Sequence, residues 1–406
     1  MSVDIFTGAA QILPCTGTDR ASVLENAAIA VEDGVIRDIG LASDLAHRYE
    51  SARHVDCAGA VITPGFIDSH THTVFGGWRA GEYALRSRGV PYMEIARQGG
   101  GINASVRDVR ATSQDALTDL LRVRLQEMLA HGTTTVEVKS GYGLSLEAEL
   151  KQLRAVKAVA QEGWDVLPTF LGGHECPAEY RDNREEYVTL VADVMIPAVA
   201  AEGLAQFCDV FCEPGVFTPE QSRRMLVAGQ AHGMVAKLHA DELENSGGAE
   251  LAAALGAASA DHLAAISDAG IAALAGSTTV ATLLPTTMLF LGRKAYAPAR
   301  RMIDAGVRVA LATDFNPGSS PTHSMPLTLT LACSQMGMDP LEAIVAATAG
   351  GAAALQLQDG RGTLVQGAPA DLIVWDLADY REIPYRFGGP PIRTVYKGGK
   401  PVTPCL

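Results

Sequence analysis

At 406 residues the chain is long for one hydrophobic core, so a large domain with a smaller attached one is expected. Its 48% hydrophobic and 19% charged residues are an ordinary globular balance. The net charge of −14 argues against a phosphate-backbone binder, which needs clustered Lys and Arg, but leaves room for an anionic small molecule held by one or two cations.

Met1-Ser-Val-Asp-Ile-Phe6 lacks the basic and long apolar regions of a signal peptide. Ala28 to Gly40 alternates around Asp33-Gly34, a hairpin signal. Val61 to Ser69 is an apolar run that leads directly into His70-Thr-His72. Leu117, Leu121, Leu125 and Met128 fall at helical spacing, and His131-Gly132 ends that helix before Thr133–Lys139 begins as a strand. Counting onward, β-like runs lie near 62–70, 133–139, 165–171, 206–212, 234–240, 257–262, 278–284 and 307–313, with helical segments between them. Eight such units predict an α/β fold of the (β/α)8 TIM-like barrel type. An open doubly wound sheet would need a glycine-rich turn after an early strand, and Gly99-Gly-Gly101 follows Arg97-Gln98 instead. Strand and turn patterns return in Gly367–Trp375 and Thr394–Lys400. The expected division is therefore a small β-sandwich-like domain from residues 1–63 plus 360–406, and a barrel over 64–359.

The seven cysteines form no Cys-x-x-Cys pair, and Cys208 and Cys212 read as small buried thiols on one strand face. A reducing cytoplasm fits that usage. Ala269 to Gly292 carries one stretch long enough to span a bilayer, but Pro285 and its Ser, Thr and Gly content favour a helix end followed by a buried strand. No membrane and no nucleic-acid partner is expected.

Barrel enzymes work at the carboxyl ends of their strands. His70, His72, His174, His239 and His262 fall at or just past such ends. His131 and His232 each precede a helix-ending glycine, while His47, His54 and His323 read as surface or loop residues. On an extended segment residues i and i+2 share a face, so His70 and His72 can meet one cation from one side. With His239 and Asp314 they form a three-nitrogen, one-carboxylate set suited to Zn or Fe, with a position left for water. Asp314 would also receive the water proton, Glu242 would hold a ring N–H or shuttle a proton, and His262 would stabilise a developing oxyanion.

The chain resembles the imidazolonepropionases of the amidohydrolase superfamily. The likeness rests on Pro64-Gly-Phe-Ile-Asp-Ser-His-Thr-His72, Phe75-Gly-Gly77 with Arg79, Gly99-Gly-Gly-Ile102 and Val138-Lys-Ser-Gly-Tyr-Gly-Leu144. It continues in Thr169-Phe-Leu-Gly-Gly-His174, His239-Ala-Asp-Glu242, Asp261-His262 and Thr313-Asp-Phe-Asn-Pro-Gly-Ser319. The histidine and aspartate motifs are shared with cytosine- and guanine-deaminase relatives; the Phe75, Lys139 and Asn316 blocks are what single out this family. The resemblance implies one divalent metal ion per subunit, held by His70, His72, His239 and Asp314. It implies hydrolysis of 4-imidazolone-5-propanoate to N-formimidoyl-L-glutamate in histidine degradation, by attack of metal-bound hydroxide on a cyclic amide. Arg79, Tyr142, His174, Glu242, Asn316, Gly318 and Ser319 become the substrate contacts, and Glu242, His262 and Asp314 the catalytic groups. Trp78 and Cys176 are local departures that touch no motif residue.

A guanidinium binds carboxylate bidentately, so Arg79 suits a propanoate tail. Lys139 ends the second strand, whereas the carboxylated lysine of hydantoinase-like relatives belongs to a later one; a structural salt bridge or a loop anchor, and a single metal ion, are expected. The residues do not set the oligomeric state; barrel enzymes of this kind are often homodimers. Two rivals stay open: a deaminase sharing the metal set but releasing ammonia, and a non-enzymatic barrel that keeps a metal only for stability or binds a small molecule.

Overall fold

The computed structural model describes residues 3–90, 94 and 99–402. Met1, Ser2, Arg97, Gln98 and Cys405 therefore lie outside the described residues. Eight parallel strands run in sequence order around one sheet: β1 (Phe66–Asp68), β2 (Thr133–Lys139), β3 (Val166–Gly173), β4 (Phe207–Cys212), β5 (Val235–Ala240), β6 (Ser259–His262), β7 (Val280–Leu283) and β8 (Val309–Leu311). This is the expected (β/α)8 barrel. Register sets the chemistry side by side, with Phe211 opposite His239, His239 opposite Asp261 and Ala240 opposite His262. Between β8 and β1 there is no ladder. The edges meet just beyond them, through the bridge Thr71–Phe315 and the bonds Asp314 N–H to His70 O (3.1 Å) and His72 N–H to Phe315 O (2.9 Å).

The helix before β2 spans Gln114–Ala130 and buries Leu117, Leu121, Leu125 and Met128. Ser113 caps its start by accepting the Ala116 N–H. His131 caps its end and donates from Nδ1 to the Glu127 carbonyl at 2.9 Å. The Ala269–Gly292 stretch divides between the helix Asp268–Ala275, β7 and the helix Pro285–Phe290. No helix among the described residues is long and apolar enough to cross a membrane.

The apolar run before His70 is not one strand. Val61–Pro64 pairs antiparallel with Leu372–Trp375 outside the barrel, and only Phe66–Asp68 enters it. Gly65 makes that passage possible, since a Cβ there would overlap the Thr134 side chain. The outer strands form two sheets. One contains Val35–Leu41, Ala27–Glu32, Val3–Thr7 and Arg53–Asp56, and the other Lys400–Val402, Ile392–Lys397, Leu372–Trp375, Val61–Pro64 and Gln11–Ile12. Asp33 (φ 51°) and Gly34 (φ 83°) turn the first hairpin in the left-handed region, as the Asp-Gly pair predicts. The sheets share a core containing Phe6, Ile29, Ile36, Ile62, Leu372 and Val374. Both ends of the chain thus build one β-sandwich. Fully buried Trp375 ties it to the barrel floor, packing on Phe66 and donating from Nε1 to Thr63 Oγ1 at 3.0 Å.

Candidate metal centre and its cavity

Four of the nominated side chains converge above β1, β5 and β8. The Asp314 Oδ1 atom lies 3.5 Å from His70 Nε2 and 3.4 Å from His72 Nε2. His72 Nε2 and His239 Nε2 are 3.4 Å apart. His70, His72 and His239 each bring one ring nitrogen within 4.8 Å of the others, and ring nitrogens of His70 and His262 with a carboxylate oxygen of Asp314 form a second such group. All are buried.

The orientation of each ring has a visible cause. His70 Nδ1 donates to Asp261 Oδ2 at 2.6 Å, and His239 Nδ1 donates to Asp209 Oδ1 at 3.1 Å. These bonds turn His70 Nε2 toward Asp314 and His239 Nε2 toward His72, and fix the tautomer that leaves their lone pairs free. Thr287 Oγ1 donates to Asp314 Oδ2 at 2.5 Å, leaving Oδ1 for the histidines. Asp68 accepts the Thr313 N–H (3.1 Å) and hydroxyl (2.5 Å), which anchors the residue before Asp314. The backbone at Asp314 (φ 53°) and His262 (φ 79°) is left-handed, an uncommon state for such residues that tertiary contacts must hold.

Burial, reinforced by Lys139 and neighbouring imidazoles, holds His70 and His72 well below the usual histidine range. His262 is pushed down to about 3, again chiefly by burial. Neutral rings are what a cation requires. The buried His70 Nε2 has no hydrogen-bond partner among the described residues. An orphaned buried nitrogen facing a carboxylate and two further nitrogens fits a divalent cation.

Above this set opens a cavity of about 680 Å³. His72, Arg79, Tyr142, His174, His239, Glu242, His262, Asp314, Asn316, Gly318 and Ser319 all line it, while His70 lies below its floor. His174 stacks on His72 with centroids 4.8 Å apart, and its Nδ1 donates to the Gly141 carbonyl at 2.9 Å. Burial, with Asp314 and Glu213, pushes the Glu242 carboxyl up to about 8; its Oε2 lies 3.7 Å from His262 Nε2. Arg79 is held by Glu82, whose Oε2 accepts from Nε (3.0 Å) and Nη2 (2.7 Å). Gly318 lets the guanidinium lie flat against the loop, since a Cβ there would overlap it. Asn316 spends its side chain locally, with Oδ1 accepting the Gly318 and Ser319 N–H groups at 2.8 Å and Nδ2 donating to Asp314 O at 2.7 Å.

Sequence reasoning named the histidines and Asp314 that converge beneath the cavity but missed the side chains that aim them. Asp209 had a signal, as the one charge in Phe207-Cys-Asp-Val-Phe-Cys212, and Asp261 was noticed only as the residue before His262. Glu82, Arg86 and Arg293 carried none, because their roles depend on the helix Ala80–Ser87 and the segment at Arg293 meeting the barrel mouth in space; the two arginines line the cavity. Lys139 forms the expected salt bridge, 2.7 Å from both Glu137 Oε1 and Asp209 Oδ2. His323 sits in a loop but is largely covered, packed on His131 and Phe315. Cys208 and Cys212 are buried free thiols, as expected.

Residues 61–402 match the model of the amidohydrolase family. Among curated proteins, the imidazolonepropionase of Geobacillus kaustophilus (strain HTA426) is 50% identical over 385 residues, covering 94% of this chain and 91% of that one. The imidazolonepropionase of Clostridium tetani (strain Massachusetts / E88) is 46% identical over 406 residues, 97% of each. Among solved structures, an adenosine deaminase from Xanthomonas campestris with bound zinc aligns with a TM-score of 0.74 at 22% identity, over 98% of this chain and 92% of that one. The guanine deaminase of E. coli aligns with a TM-score of 0.69 at 16% identity, over the whole of both chains. At such identities the solved structures speak for the fold alone.

Proposed function

We infer the chemistry from one premise: the chain belongs to the amidohydrolase family and, within it, to the imidazolonepropionases. It is a metal-dependent hydrolase that opens the cyclic amide of 4-imidazolone-5-propanoate to N-formimidoyl-L-glutamate in histidine degradation. The observation that carries this reading is a cavity with converging imidazoles and Asp314 at its floor and a guanidinium, Arg79, in its wall.

One divalent ion, zinc or iron, would be held by His70, His72, His239 and Asp314, where it would polarise the ring carbonyl and lower the pKa of a water toward ~7. Arg79 takes the propanoate tail through guanidinium N–H groups that Glu82 leaves free, and Tyr142 adds a phenolic donor. Tyr142 keeps its proton, because burial raises its hydroxyl above the usual range. The loop fixed by Asn316 presents Gly318 and Ser319 beside the tail, and His174 walls the ring. As the water oxygen bonds to the carbonyl carbon, Asp314 receives the released proton. The carbonyl electron pair moves onto oxygen, where neutral His262 donates an N–H. The C–N bond then breaks, and the departing nitrogen needs a proton. Glu242, pushed up to about 8, carries one at neutral pH and stands 3.7 Å from His262.

Incubation with imidazolonepropanoate, following ring absorbance and ammonia together, tests the assignment. Ring loss without ammonia supports it; ammonia release transfers the protein to the deaminases. The residue division 1–63 plus 360–406 against 64–359, a homodimeric assembly and a cytoplasmic location accompany this reading.

A further inference from the structure

Barrel interiors are mostly filled by branched apolar side chains. Here the layer touching His70 and His239 contains Glu137, Lys139, Asp209, Lys237 and Asp261, all buried. Such a layer is costly, since apolar residues of equal volume often replace buried ion pairs with no loss of stability. Its contacts show what is obtained in return. Asp209 Oδ1 accepts both the Nδ1–H (3.1 Å) and the backbone N–H (3.2 Å) of His239. Asp209 Oδ2 accepts from Lys139 Nζ at 2.7 Å. Lys139 also holds Glu137 Oε1 at 2.7 Å, and Glu137 Oε2 accepts the Thr71 N–H at 3.1 Å, between His70 and His72. Asp261, the partner of His70, lies 3.9 Å from the same ammonium. Three carboxylates around one Nζ demand a cation there; a carboxylated lysine would face them with like charge.

We propose that Lys139 is a positioning residue for the metal centre: by pinning Asp209 it fixes the ring plane and tautomer of His239, and so sets the affinity for the cation. The inference rests on the ligand assignment above. On this proposal Lys139 acts on His239 through Asp209, and its contacts with Glu137 and Asp261 balance charge in the same layer.

The test is zinc affinity of the refilled enzyme, measured by competition with a chelator of known strength, with far-ultraviolet circular dichroism as the check on folding. Lys139→Met is expected to remain folded and bind zinc about 10- to 100-fold more weakly, the usual cost of losing a partner behind a ligand. A purely structural lysine would lower the melting temperature and leave zinc affinity in place. Should the stranded Asp209 charge prevent folding, the pair K139M/D209N and D209N removes it, because the amide oxygen can still accept from His239. If Lys139 acts through Asp209, those two proteins bind zinc within about twofold of each other, the scatter expected when no coupling remains. Wild-type affinity in folded K139M, or a further loss beyond about twofold when K139M is added to D209N, would overturn the proposal. A wild-type protein that takes up no divalent cation would instead refute the ligand assignment, and this inference with it.

Discussion

One buried carboxylate accepts three backbone N–H groups of the loop that presents Tyr142, and its substitution by the isosteric amide tests how the site is built. Glu149 lies on the helix Leu146–Gln161 and is fully buried. Its Oε1 accepts the N–H groups of Gly143 and Leu144 at 2.8 Å, and its Oε2 accepts that of Gly141 at 3.0 Å. In Glu149→Gln the amide oxygen can keep the Gly143 and Leu144 bonds, but without charge assistance, at a loss of about 1 kcal/mol each. The NH2 end would then face the Gly141 N–H, a buried donor left orphaned at about 1–3 kcal/mol. Relief is also expected, since burial raises the Glu149 carboxyl above its ordinary range and an amide escapes that strain. A net loss of about 2–4 kcal/mol follows, read as a lower urea midpoint at unchanged slope. Because the freed loop carries Tyr142, KM should rise while metal content holds. A variant within about 0.5 kcal/mol of wild type, with unchanged KM, would refute the reasoning that these bonds build the loop.

Arg79→Leu should raise KM about 100-fold, the value of a lost charge-assisted carboxylate pair, with metal content unaltered; an unchanged KM would remove Arg79 from its role. Glu242→Gln should retain metal and lose about 10²- to 10⁴-fold in kcat, the range for a general acid, and a near-normal kcat would reassign the proton. Chelation should abolish turnover while circular dichroism stays native, with zinc or iron restoring activity; unfolding on chelation would favour a metal kept for stability alone. His323 is held down to about 4, chiefly by burial and then by His131. Below pH ~6.5 the unfolded chain therefore binds a proton that the folded one refuses, so this group takes stability away as pH falls from ~6.5 to ~4. By pH 4 the loss reaches about 2–3 kcal/mol, and His323→Gln should flatten that slope in denaturation series; an identical slope would show that the ring titrates freely.

Much of the fold was legible because its signals are local. Eight β-like runs with helices between them specify the barrel, and Asp33-Gly34 specifies its hairpin through the backbone conformations that turn requires. His70 and His72 could be paired by spacing alone, whereas His239 and Asp314 needed the strand count to bring them near. The boundary at Gly65 was not readable, because the apolar pattern runs through it and only the crowding of Thr134 reveals the change of sheet. Glu82, Asp209 and Asp261 escaped for a different reason. A carboxylate that orients a neighbour has no periodicity of its own, and its partner may lie far along the chain, as Asp261 does from His70.

His70 O receives the Asp314 N–H where the first and eighth strands come together, and the same two side chains belong to a group that could hold a cation. Closing the cylinder and assembling the ligands are consequently a single event. On the proposed ligand assignment, a ribosome-bound chain that has not yet delivered residue 314 would lack one of the four ligands. Conversely, an ion bridging His70 and Asp314 would staple the two rims against breathing. Amide exchange around Thr71 and Phe315 should then quicken when the ion is stripped, well before the outer helices loosen.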